Sequence, residues 1–382
     1  MNRSTTARGC VEILIVLFVV IAGDGIQATE TRTEDDWKPN VTVDVEPSRP
    51  NNGTSLVSCL APLMATVGHP EWTPARLMGV MGHAFHYEMK KGAATVYHDA
   101  PDWWFALDYL PELGTFTKFS VSKRDEGVDR YEVMREARAA VRASLARDTP
   151  VLVWQPMTLA MKESGLGAAC WGLIVGYNEN EESYTIRHPF VSETFTIGYD
   201  AFGPADPFEA FEVRILETPN TEDKRDLHHR ALQNAVRFAN GTQYTDETFK
   251  TSDGKQKKPY GFAAYDTWRD AFASGEKLKS APRRQRHNAL MVRRKRRGAA
   301  AYLRELTTIF PEAAEHLEAG AAQYDRELQV ANSLVELFES VGGRDEYTEA
   351  ERVSAGKLIA EAVKAERKAV GQIEAALALI EK

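Results

Sequence analysis

Apolar and polar positions follow different rhythms in different parts of the chain, and each rhythm predicts a different kind of structure. The first is an unbroken apolar run from Ile13 to Ala22, with Arg3 and Arg8 before it and Gly23 and Asp24 after it. It is only about half the ~20 apolar residues that a spanning helix needs. Positive charge, apolar core and small residues together have the layout of a secretory signal. Residues 1–28 are therefore expected to be a signal peptide, with Ala28 before the cut and Ile26 two positions earlier. A cut near Gly23, or an uncleaved membrane anchor, stays open. Residues 29–53 are rich in Asp, Glu, Thr, Asn and Pro without a sustained apolar period, which predicts an extended linker or arm.

From residue 54 the pattern turns helical and then strand-like. Helices are predicted from Leu56 to Val67, closed by Gly68, and from Pro74 to Tyr87, with Thr73 as N-cap and Leu77, Met81 and Phe85 on one face. A longer one follows from Asp129, which forms a capping box with Glu132, through Val133, Ala137, Val141 and Leu145 to the stop at Asp148-Thr149-Pro150. Strand-like runs come next: Val151–Trp154, Trp171–Tyr177, Tyr184–Arg187, Thr194–Tyr199 and Phe211–Leu216. Helices followed by a meandering, mostly antiparallel sheet predict an α+β domain over residues 54–218.

The rest, residues 219–382, reads as an all-α helical bundle domain. Helices are predicted over Asp223–Asn240, around Ala263–Ala273, through Leu303, Leu306 and Phe310, and along Tyr324, Leu328, Ala331, Val335 and Phe338. Gly342-Gly343 breaks the pattern, and a capping box of Thr348 and Glu351 restarts it along Ile359, Ala362, Ala369, Ile373, Ala376 and Ile380. About 350 residues beyond the signal also exceed what one core usually organises, so two domains are expected.

Composition narrows the functional classes. A formal charge of −8 argues against nucleic acid as a partner. Removal of the signal would take Cys10 and leave Cys59 and Cys170, enough for one bridge in an oxidising compartment and too few for a disulfide scaffold. Export to the periplasm or the extracellular space is the expected location.

Cys59 lies near the start of a predicted helix, where unpaired N–H groups and the helix dipole favour a thiolate. The alternative is a small core residue beside Leu60, Leu63 and Met64. Several segments in order then carry a resemblance. A cysteine opening an early helix, a strand ending in Gly-Tyr (Trp171 to Tyr177), a polar turn and a strand ending in Pro (Tyr184 to Pro189) resemble the papain-like fold of bacteriocin-leader peptidases. They are closer to proteins with an N-terminal domain of the butirosin-biosynthesis-protein-H type. Tyr260-Gly261-Phe262, Ala264 to Trp268, His287-Asn288-Ala289 and Arg297 to Pro311 are similar to the helical domain often attached to it, so that the resemblance spans roughly residues 54–340.

The resemblance implies acyl transfer or amide-bond chemistry through a cysteine thioester, which needs a thiolate, a histidine and a group to orient it. Cys59 matches the nucleophile. At the position expected for histidine the chain has Cys170, and at the position expected for the orienting Asp or Asn it has His188. Asn51 and Asn52 are the candidates for an oxyanion-stabilising amide. Three outcomes follow: His188 acts as base in an unusual dyad, the site is degenerate with Cys59 and Cys170 side by side and able to form a disulfide, or His83 or His86 is the relay. The expected ligand is a small molecule, a peptide or an acyl group, with no cofactor.

His83 and His86 stand three apart, a spacing that can serve a metal, but no third ligand is evident, so packing is the expectation and no metal is assigned. Asp102-Trp103-Trp104-Phe105 can be a ligand platform or packed aromatics. The basic run Arg283–Arg297 can contact an anionic membrane surface or pair with the acidic bundle. Asn40, Asn52 and Asn240 fit a glycosylation pattern that occurs often by chance. The oligomeric state is not legible.

Overall fold

The computed structural model describes residues 38–48, 54–90, 95–96, 107–122, 125, 127–164, 170–199, 210–220, 224–241, 261–273, 282–342, 344 and 346–382. The expected signal peptide, residues 49–53 and the Asp102–Phe105 cluster lie outside them. Pro39–Lys382 form one compact unit. In chain order the helices are α1 (Ser55–Thr66), α2 (Pro74–Val80), α3 (Leu110–Leu113), α4 (Arg130–Ala146), α5 (Leu159–Glu163), α6 (Arg225–Asn240), α7 (Gly261–Ala273), α8 (Pro282–Leu306), α9 (Ala314–Ser340) and α10 (Glu349–Ile380). The strands are β1 (Asn40–Thr42), β2 (Met89–Lys90), β3 (Thr95–Val96), β4 (Gly114–Ser122), β5 (Val151–Trp154), β6 (Trp171–Asn178), β7 (Ser183–His188), β8 (Val191–Gly198) and β9 (Ala210–Pro219).

The architecture is α+β: a seven-stranded antiparallel sheet in the order β4-β9-β5-β6-β7-β8, followed by long helices. Among the described residues no helix is long and apolar enough to cross a membrane. Strands β5 to β8 form the expected meander, and β9 returns to lie between β5 and β4. Two strands of this sheet, and the separate β2–β3 pair, were not expected. β4 reads Gly-Thr-Phe-Thr-Lys-Phe-Ser-Val-Ser, whose alternation is diluted by Thr and Lys at its partly exposed positions. β1 comes from the expected linker: it pairs antiparallel with Gly176–Asn178 of β6, while β5 pairs with Trp171–Ile174 of the same strand. The period-two spacing of Val41, Val43 and Val45 carries it, and the last two are buried.

The second predicted helix stops early. It closes at Val80 rather than Tyr87, because Gly82 takes a left-handed φ of 71° and turns residues 83–88 inward. Gly79 is needed in α2 for contact: a Cβ there would lie 2.2 Å from the ring of Tyr302 on α8. Thr73, the N-cap of α2, also donates to the Glu305 carboxylate at 2.8 and 2.9 Å, and Arg76 Nε donates to it at 3.1 Å. Sheet and bundle are therefore locked at α2. One hydrophobic core runs through both, from Val153 and Ile174 through Leu77 to Tyr302, Leu306 and Ile373, across the expected boundary near residue 218.

Candidate functional site

The site is assembled where the end of β5, the head of β6, the end of β7 and the start of α1 meet. Thr54 caps α1, its hydroxyl accepting from Val57 N at 3.3 Å, so the helix starts at Ser55 and Cys59 falls in the second turn. The first-turn donors that would favour a thiolate belong to earlier residues; Ser58 N already bonds Thr54 O at 2.9 Å. Cys59 is fully buried. Burial, and then the charge that Cys170 would carry, push its thiol well above the ordinary value. Pro62 inside the helix lacks the N–H that would bond Ser58 O, and that carbonyl instead accepts Ser48 N at 3.0 Å. The arm containing β1 is thereby pinned one residue from Cys59.

Cys170 is half-buried immediately before β6. Its carbonyl accepts Gln155 N at 2.8 Å, and the next residue, Trp171, donates its N–H to Ser55 Oγ at 3.1 Å. The two cysteines lie near enough that a charge on Cys170 would raise the Cys59 thiol further. No disulfide joins the described cysteines.

His188 ends β7 beside Gly172. A Cβ on Gly172 would lie 3.3 Å from His188 Cδ2 and 2.6 Å from Pro156 Cγ, so glycine makes room for both. His188 Nδ1 accepts Phe190 N at 3.3 Å, which assigns the proton of the neutral ring to Nε2. Nε2 is buried without a hydrogen-bond partner among the described residues. Neither ring nitrogen therefore bonds Cys59. Burial lowers the His188 pKa to about 4, so the ring is neutral at pH 7.

Gln155 was not expected. It follows β5 at a left-handed φ of 51°, a backbone that costs a non-glycine residue about 1 kcal/mol or more. Its side chain is buried, and Oε1 has no partner among the described residues. Nothing in the run Val151–Trp154 announces it, since the side chain carries no charge and left-handed backbone leaves no mark in a sequence without Gly or Asn.

The other candidates lie elsewhere. His83 and His86 sit in the turn after α2, both buried, with the His86 ring edge-on to Phe238 at 5.4 Å. Among the described residues no group of His, Cys, Asp and Glu could hold a metal. Asn51 and Asn52 are outside the described residues. Within the basic run, Lys295 and Arg296 are buried and Arg286 pairs with Glu339 at 2.6 Å. Arg296 Nε donates to both oxygens of Glu327 at 3.1 Å and lies 2.8 Å from Glu366 Oε2, a charge contact with no N–H left to direct at it. Its Nη1 and Nη2 donate to Ala84 O at 2.7 Å and Tyr265 Oη at 3.1 Å, while Lys295 Nζ donates to His86 O at 3.0 Å. The inward turn 83–88 is held by these cations.

No family model and no curated protein sequence matches the chain. The chemistry at the head of β6 therefore has to be judged on its own geometry. Among the described residues, the buried groups there without a hydrogen-bond partner are the donors His188 Nε2–H, at the end of β7, and Trp171 Nε1–H, at the head of β6, and the acceptor Gln155 Oε1, just after β5.

Proposed function

We propose that the chain is an exported protein whose residues 54–218 form a papain-like domain of the butirosin-H type, degenerate at its cysteine, with residues 219–382 as the attached helical domain. Its role at this site is to bind a peptide or another amide-bearing molecule without turning it over. The observation that carries this reading is the state of Cys59: wholly buried, with its thiol pushed up by burial and no histidine nitrogen among the described residues bonded to it. Nucleophilic catalysis needs a thiolate and a base within hydrogen-bond reach, and neither is in place. An amide supplies one N–H and one C=O, the complement of Gln155 Oε1 and His188 Nε2–H.

A second reading is favoured by the interaction between the two thiols. In an oxidising compartment, exchange with a small disulfide would link Cys59 to Cys170 and release two thiols, closing the site. Thiol counting on the mature protein separates the readings. Two thiols without reductant, with Cys59 the slower to react, support binding, and none without reductant supports the bridge. Two thiols with Cys59 the faster would contradict both and restore a cysteine-dependent acyltransferase or peptidase.

A further inference from the structure

A cavity of about 220 Å³ opens between the first half of α4 and strands β7 to β9. Four aromatic rings wall it, those of Tyr131, Tyr184, Tyr199 and Phe211. Met134, Arg135 and Arg138 of α4 complete the lining. Its volume corresponds to about seven waters, room for one six-membered ring with a short side arm.

Three features make it a site. Tyr131 at its wall is 68% exposed and nearby Val128 45%, two of the few large apolar side chains so exposed among the described residues. The Arg138 guanidinium lies over the Tyr199 ring, 4.0 Å from its centre, which holds it flat against the wall. Its Nη2 is taken by Glu179, but Nε is shielded from solvent with no partner among the described residues. Glu179 is itself saturated by Arg138, by Arg142 at 3.0 Å and by Tyr199 Oη at 3.1 Å. Among the described residues Arg135 meets only Glu132, 3.6 Å away between two exposed side chains, a contact that holds little energy.

We propose that this cavity binds a small aromatic monocarboxylate, its ring between the tyrosines and Phe211 and its carboxylate on Arg135 and Arg138. The charges agree: three arginines against Glu132 and Glu179 leave one positive charge for the ligand to balance. Burial holds the Tyr199 hydroxyl protonated, its pKa pushed up to about 12, so no phenolate opposes an anion. A planar guanidinium also matches a carboxylate in two-point contact.

Calorimetric titration of the full chain with phenylacetate, phenylacetamide and acetate tests this. Phenylacetate is expected to saturate one site at least about tenfold more tightly than either control, the worth of one charge-assisted hydrogen bond. Arg135→Gln should bring phenylacetate to the level of phenylacetamide, and Tyr131→Ala should weaken both ring-bearing probes. Each residue is exposed enough that an unchanged melting temperature serves as the folding control. Equal affinity for all three probes, or an Arg135→Gln protein that binds phenylacetate as well as the parent, overturns the proposal. So does the absence of saturation by any probe.

Discussion

At the head of β6 a histidine nitrogen and a glutamine oxygen are buried with no partner among the described residues, whereas the buried Arg296 of α8 is ringed by two carboxyl groups, a phenol and a carbonyl. Both places bury polar groups that water would otherwise solvate, but the partners differ. Around Arg296 they belong to the protein, and what they do is hold the turn after α2 against the bundle. At the head of β6 the two buried groups have no partner among the described residues. Each unpaired group costs about 1–3 kcal/mol, and the left-handed backbone of Gln155 adds to that. Such costs mark a place shaped for something other than the fold, as expected of a binding site.

The contrast can be broken by mutation, and the largest effect belongs to the cluster around Arg296. Arg296→Met leaves the buried Glu327 carboxylate without its cation and is expected to cost about 3–5 kcal/mol in urea unfolding. Glu366→Gln should cost far less. Burial first, with Arg296 opposing and the Glu327 charge adding, holds the Glu366 carboxyl well above the ordinary carboxylate range. An amide then replaces a carboxyl that takes up a proton more readily than an ordinary one. If both changes cost the same, Glu366 carries a charge and the cluster is misread.

The next effect is a pH dependence at the unsatisfied cluster. The His188 pKa in the folded protein, about 4, lies below its ordinary 6.5, so as pH falls the unfolded chain takes up the proton first. Stability from this group is complete above about pH 6.5 and is lost between 6.5 and 4, by roughly 3 kcal/mol. Unfolding curves across that range should show the parent losing this much more than His188→Phe; parallel losses would mean that His188 is solvated. The smallest effect is at Gln155. Gln155→Gly relieves the left-handed strain and removes the orphaned carbonyl, so the melting temperature should stay level or rise by the equivalent of about 1 kcal/mol. A clear drop would give Gln155 a structural role.

The sequence carried the α+β class and much of the helical half, because caps such as Thr348–Glu351 and four-three apolar spacing act locally; this capping box forms with bonds of 2.7 and 3.2 Å. It also placed Cys170 before β6 and His188 at the end of β7. Non-local effects were not legible. Whether the thiol of Cys59 is buried depends on where α1 packs, and whether Lys295 and Arg296 face solvent depends on the turn at Gly82. A basic run reads as a surface when its buried partners, Glu327, Glu366 and the carbonyls of Ala84 and His86, are scattered across the chain.

The most direct test of a buried, base-free Cys59 is the pH profile of its alkylation in reduced, native Cys170→Ser protein, followed by peptide mass mapping with iodoacetamide. The expected result is slow labelling that rises steadily through pH 9 without a plateau and becomes fast only in denaturant. Rapid labelling near pH 7 that levels off, with an inflection below the ordinary thiol value, would contradict it and mark Cys59 as an activated nucleophile.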